Sequence, residues 1–221
     1  MHPHRVNFLR TTSLILLLAI TWTPVHAADT GSSNNFFYLK KLDDNLQFIN
    51  RASIATRDGF DDFFFGYLDL NLRWKTAEKW YFEVGYRQAW LELADGWRQE
   101  YRPMFNLGYR GKLGEWGFSN RNRLELRYFE GEARNRVRYR NETILTAPRK
   151  WGSTTPYISQ ELFYNLTNTE FNENWLTTGV SGKFSNGKGW KLGYRLQSRK
   201  FAGEWNHRHV LVTGISILDF K

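Results

Sequence analysis

The chain has 221 residues, a formal charge of +9 and no cysteine. These values fit one domain of ordinary size and exclude disulfide staples and thiolate metal sites. A mean hydropathy of −0.59 excludes a bundle of membrane helices, while 17% aromatics and 18 glycines suit strands, tight turns and membrane interfaces.

Residues 1–27 read as a signal peptide that is not part of the fold. Arg5 and Arg10 form a basic start, Leu14 to Ile20 a short apolar run, and Val25-His26-Ala27 a small-x-small cleavage site with Ala28 as the new N-terminus. The apolar run is too short to span a bilayer. No cysteine follows it, so a lipid anchor is not expected. A basic balance can signal nucleic acid. Export makes that an unsuitable partner and points instead to anionic glycans, lipids or acidic solutes.

Residues 28–45 are polar, with an aromatic patch at Phe36, Phe37 and Tyr38. They are expected to form either a periplasmic lead-in or one extra strand. From there to the end, 46–221 alternates as a single barrel domain. Ten strands are predicted: 46–56, 63–74, 80–92, 99–111, 117–129, 135–146, 156–165, 174–184, 190–199 and 206–220. Compact turns such as Arg57-Asp58-Gly59, Ala94-Asp95-Gly96, Glu130-Gly131-Glu132 and Ala202-Gly203-Glu204 separate them. No segment has a helical period, and no domain boundary is visible.

Three features place these strands in a membrane. Soluble strands usually run about 5–6 residues, whereas a tilted strand needs about 9–11 to cross a bilayer, the length seen here. One face of each strand is apolar: Phe64, Leu68, Leu70, Leu72 and Trp74 in one, Phe82, Val84, Tyr86 and Trp90 in the next. Tryptophans gather near strand ends in two groups: Trp74, Trp80, Trp116, Trp151 and Trp190, against Trp90, Trp97, Trp175 and Trp205. Two aromatic girdles at the two water–lipid interfaces would produce this distribution. The last strand, His209 to Phe220, places Val210, Val212, Leu218 and Phe220 on one face. It looks like the C-terminal insertion signal of Gram-negative outer-membrane barrels. An open sheet in hydrocarbon would strand its edge amides, so the last strand must pair with the first.

The stretch Asn120–Glu142 is the most charged. Arg121, Arg123, Glu125 and Arg127 share one strand face; Arg136, Arg138, Arg140 and Glu142 share another across a Gly131-Glu132 turn. A two-residue turn sets Glu125 opposite Arg138 and Arg121 opposite Glu142; a four-residue turn sets Glu125 opposite Arg140 and Arg123 opposite Glu142. Parity is the same in both. Either way, six arginines meet two glutamates, Glu161 can neutralise one more, and Lys191, Arg195 and Arg199 add positive charge.

The segment Asn120–Pro148, with its NRNRLELR and RVRYRNE strands, and PYISQELFYN at 156–165 resembles an uncharacterised Gram-negative outer-membrane barrel family known only as a domain of unknown function. The resemblance covers most of the mature chain and implies an outer-membrane barrel with no settled activity. A more distant likeness is to small monomeric porins for acidic oligosaccharides. These have an Arg-rich lumen and make twelve strands the alternative count. No functional residue is carried over from either.

The expectation is therefore an all-β, antiparallel up-and-down transmembrane barrel of about ten strands in a Gram-negative outer membrane, with both termini in the periplasm. Its partners would be outer-membrane lipid, the barrel-assembly machinery during insertion, and anionic small solutes or oligosaccharides. The lumen wall of Arg121, Arg123, Arg127, Arg136, Arg138, Arg140, Glu125, Glu142, Glu161 and Arg195 reads in two ways. It lines a porin-like passive channel or binding lumen, or it fills a structural barrel with ion pairs. A third reading is a hydrolase at the outer rim using His207 and His209 with Asp61 and Asp62. A soluble periplasmic binder is a further class. No motif indicates a metal or a cofactor.

Overall fold

A computed structural model describes residues 29–219. The predicted signal peptide and Phe220 lie outside the described residues. Eleven strands form one closed barrel in chain order: β1 (Thr30–Lys41), β2 (Leu46–Arg57), β3 (Asp62–Lys75), β4 (Trp80–Leu93), β5 (Gly96–Leu113), β6 (Trp116–Phe129), β7 (Arg136–Thr146), β8 (Thr154–Asn165), β9 (Glu170–Lys183), β10 (Gly189–Phe201) and β11 (Glu204–Asp219). Ten strands were expected; the eleventh is β1, within the polar stretch before residue 46.

The odd count dictates how the barrel closes. Each hairpin reverses the chain, so the first and eleventh strands run in the same direction. β1 therefore pairs with β11 in parallel, from Thr30↔His209 to Lys40↔Asp219, and with β2 antiparallel on its other side. This corrects the expected pairing of the strand at residue 46 with the last strand. It also overturns the expectation that both chain ends share one rim. The described chain starts at the rim formed by the β2–β3, β4–β5, β6–β7, β8–β9 and β10–β11 turns, here the upper rim. It ends at the opposite, lower rim. Closure leaves no unpaired edge.

The period of two sorts the side chains. Leu68, Leu70, Leu72, Phe82, Phe105, Leu107, Leu192, Leu211 and Ile215 are exposed on the outside. Asp69, Arg73, Glu83, Arg87, Glu100, Arg102, Arg123, Glu125 and Arg140 are buried inside. A soluble protein arranges these classes the other way round.

Three placements depart from the expected faces. A bulge near Ala55/Thr56 turns Phe64 inward, where the Arg57 and Arg208 guanidinium groups lie over its ring; an extra residue shifts parity locally. Trp175 also faces the lumen, with its ring centroid 4.8 Å from that of Phe163 and its Nε1 donating to Glu173. It is not part of a girdle. Val210 and Val212 are buried inside, while Leu211 and Ile215 face out. Trp80, Trp90, Trp97, Trp116 and Trp205 are exposed near the two rims, and Trp74 and Trp190 are half-buried. No helix among the described residues is long and apolar enough to cross a membrane, which says nothing of strands.

Candidate functional site

The β6–β7 register decides which charges meet. Arg121 faces Glu142, Arg123 faces Arg140, Glu125 faces Arg138, and Arg127 faces Arg136. This is the register of a two-residue turn. Residues 130–135 nevertheless form a longer loop above it, closed by Glu132 N–H donating to Phe129 O at 3.1 Å.

Glu125 is the hub of the wall. Its carboxylate accepts from Arg138 at 2.7 Å and from Arg140 at 2.9 Å, with Arg102 and Arg123 each at 3.5 Å. Its exposure is 0%. A carboxylate withdrawn from water this completely needs such partners, because desolvation of an ion costs several kcal/mol. Arg140 reaches on to Glu161 at 2.6 Å. Arg121 joins Glu142 at 2.7 Å and Glu161 at 3.4 Å. Arg127 bonds Glu100 at 2.6 Å, and Arg102 bonds the same carboxylate. Arg136, at the rim, pairs with Glu132 at 2.6 Å.

The expected excess of arginine on this wall is thus absorbed by neighbouring strands. All six arginines have a carboxylate within ion-pair distance. Glu100 on β5, Glu161 on β8 and the loop residue Glu132 supply what β6 and β7 lack. Arg123, 2% exposed, also donates to Asn106 Oδ1 at 2.7 Å, and Asn106 Nδ2 donates to Glu83 at 3.2 Å. Glu83 in turn holds Arg51 at 3.0 Å and Arg73 at 2.7 Å. Arg87 and Asp69 form a separate bidentate pair. Charge pairing therefore runs along the inner wall from β2 to β8, through side chains that are almost fully buried.

Below this network three cations have no carboxylate within ion-pair distance among the described residues. Arg195 donates to Thr177 Oγ1 at 3.2 Å and lies 4.3 Å from the Trp175 ring centroid. Lys191 lies over Tyr157 at 4.5 Å, and Arg73 and Arg110 lie over Tyr81 at 4.1 and 5.3 Å. Among the described residues no ion pair reaches Arg110, Lys191 or Arg195. Arg73 Nη1 and Tyr157 Oη are buried with no hydrogen-bond partner. Both tyrosines fit beside inward glycines. A Cβ on Gly108 would lie 2.0 Å from Tyr81 Cζ, and one on Gly193 would lie 2.5 Å from Tyr157 Oη. Aromatic faces attract cations less strongly than carboxylates do and leave them available to an anion.

The expected rim residues are not brought together. Asp62 accepts from Arg57 at 2.5 Å, and Asp61 is exposed in the adjacent turn. His209 Nδ1 is hydrogen-bonded to Tyr194 Oη, and His207 Nδ1 lies 3.0 Å from Ser198 Oγ. The parity of β11 turns both imidazoles outward, away from Arg208 and Val210. Among the described residues no group of three or more His, Asp or Glu side chains is placed to hold a metal ion. Ser198 had gone unnoticed in the sequence. The two-residue Ala202-Gly203 turn would have revealed it, because that turn sets residue 198 opposite residue 207.

A model of the family described as "Protein of unknown function (DUF2490)" matches residues 31–208. No curated protein and no solved structure matches the chain.

Proposed function

The chain belongs to the DUF2490 family, and we propose that it is an outer-membrane barrel whose lumen is closed midway by arginine–carboxylate pairs and binds anionic solutes in the cationic half below them. Support for the membrane comes from the apolar exterior, from strands of 11–18 residues and from exposed tryptophans near both rims. In this reading the lower rim faces the periplasm, lipid covers the outside, and the barrel-assembly machinery acts during insertion.

One observation carries the binding function. Arg110, Lys191 and Arg195 sit over aromatic rings with no carboxylate in ion-pair contact, and Arg73, which shares the Tyr81 ring with Arg110, has a buried Nη1 without a partner. A phosphate or carboxylate would complete that set, since guanidinium forks match both. A porin-like passive channel requires a water path past Glu125 and Arg123, and their burial argues for a binding lumen instead.

Calorimetry on the detergent-extracted chain with inorganic phosphate and citrate tests this. Binding is expected, weakening roughly tenfold or more in Lys191→Gln or Arg195→Gln, the loss of one charge-assisted hydrogen bond. No difference between these variants and the parent would overturn it. Stepwise anion-selective conductance of the parent in planar bilayers would replace it with the channel.

A further inference from the structure

We propose that Ser198 and His207 form a nucleophile–base pair on the outer face of the barrel, acting on the carboxylic esters of membrane lipids. The proposal rests on the membrane-spanning reading above, because only there does this face meet lipid.

Geometry comes first. Ser198 Oγ lies 3.0 Å from His207 Nδ1, within the reach a general base needs to take a hydroxyl proton. The two residues face each other across β10 and β11. Both occupy the outward parity that carries the exposed Leu192 and Tyr194 on β10 and Leu211 on β11. Ser198 is largely covered, at 9% exposure, whereas the His207 residue is exposed. On the other side of Ser198 stands Asn174. Its Oδ1 accepts from Gln160 Nε2 at 3.4 Å, which leaves its Nδ2 protons for an oxygen bound over Ser198.

Depth in the membrane comes second. Ser198 is three residues from the upper end of β10, about 10 Å along a tilted strand. Phe171 and Trp205 pack against each other near the rim at 5.6 Å between centroids, and Phe201 is exposed beyond them. Aromatic belts lie at headgroup level. Lipid ester groups lie at that same boundary, between headgroup and acyl chain. A serine and a histidine on this outer face at this depth are placed where an ester carbonyl would arrive by diffusion in the bilayer plane.

The chemistry balances with water as co-substrate. His207 with its proton on Nε2 accepts the Ser198 proton at Nδ1 as Oγ bonds the ester carbonyl carbon. The Asn174 amide donates to the oxyanion. The carbon–oxygen bond to the lipid alcohol breaks, and that alcohol leaves with the proton from Nδ1. Water then gives a proton to Nδ1 and its oxygen to the acyl carbon, the bond from that carbon to Oγ breaks, and Oγ takes the proton back from Nδ1. This releases a fatty acid and restores Ser198. Without this chemistry, the pair would do no more than satisfy two polar side chains on a lipid-facing surface.

The test uses the full chain in phosphatidylethanolamine–detergent micelles. A long-chain alkyl fluorophosphonate should form an adduct that maps to Ser198 by peptide mass spectrometry, and fatty acid should be released from the lipid. Ser198→Ala should abolish both. His207→Asn should slow both by roughly 10²–10⁴-fold, the usual contribution of a general base. Heat-modifiable gel migration reports separately whether each variant is a folded membrane barrel. A parent that migrates as a folded barrel yet forms no adduct and releases no fatty acid overturns the proposal. Persistence of either activity in Ser198→Ala, or an adduct rate untouched by His207→Asn, also overturns it. Loss of heat-modifiability and of detergent dependence in the parent would instead overturn the membrane reading beneath it.

Discussion

Arg140 on β7 donates to Glu125 on β6 across 2.9 Å, one step off the register that sets Glu125 opposite Arg138. The diagonal lets one carboxylate serve two arginines of the same strand. Arg102 on β5 and Arg123, two residues back on β6, each lie 3.5 Å from Glu125, so four cations share one anion, two of which, Arg102 and Arg140, also hold Glu100 and Glu161.

That dependence makes Glu125 the most sensitive position in the lumen. Glu125→Gln keeps the shape and removes the charge. It should destabilise the barrel by about 3–5 kcal/mol, the usual effect of breaking a buried pair. Urea unfolding in lipid vesicles, followed by tryptophan fluorescence, measures it. A change below about 0.5 kcal/mol, the range of ordinary surface substitutions, would show that the network contributes little. The same variant should conduct in planar bilayers if these pairs are what close the lumen.

The tyrosine niches predict a coupled pair of mutations. Gly108→Ala places a methyl 2.0 Å from Tyr81 Cζ and should cost about 1–3 kcal/mol by overpacking. Combining it with Tyr81→Ala should cost less than the sum of the two single changes, with an interaction of about 0.5–3 kcal/mol. Additive effects would mean that the ring does not occupy this niche.

The parallel seam can be locked. Asn34 and Thr213 face each other across β1 and β11, and Thr213 Oγ1 donates to Asn34 Oδ1 at 2.6 Å. The chain has no cysteine of its own, so Asn34→Cys with Thr213→Cys gives a clean test. Oxidation should form an intramolecular disulfide, seen as a shift on a non-reducing denaturing gel. Failure to cross-link, with cross-linking between 213 and a β2 position instead, would show that β1 does not close the barrel.

The β10–β11 turn carries strain that can be relieved. Ala202 has φ +51° and Gly203 φ +91°, the positive pair of a type I′ turn, which prefers Asn-Gly. Ala202→Asn should raise stability by a few tenths to about 1 kcal/mol. A lower urea midpoint would contradict this.

Which side chains share a strand face was legible before any tertiary information. Alternation alone put Arg121, Arg123, Glu125 and Arg127 on one side, and Arg136, Arg138, Arg140 and Glu142 on one side, because side-chain direction along a strand is a local property. Nearness to a turn was a weaker guide. Trp175 was placed in a girdle by that rule, yet it shares parity with Glu173 and Thr177 and lies inside. Phe64 was misplaced because a bulge breaks the period that the inference relied on. His207 and His209 were correctly grouped on one face but matched with Asp62, which bonds Arg57, and with Asp61, which is exposed in its turn. Their partners, Ser198 and Tyr194, come from the next strand.

By itself, the sequence determined that this chain forms long two-faced strands, apolar on one side and rich in arginine on the other, joined by short turns. Each of those properties depends on residues close together in the chain. Only the tertiary structure decided that β1 completes the ring in parallel, that Glu100, Glu161 and Glu132 absorb the charge of the arginine hairpin, and that Arg110, Lys191 and Arg195 make no ion pair among the described residues. Those outcomes depend on inter-strand register and on the number of strands in the closed ring. Register is set by turns and bulges along the whole barrel, and no single stretch of alternating residues encodes it.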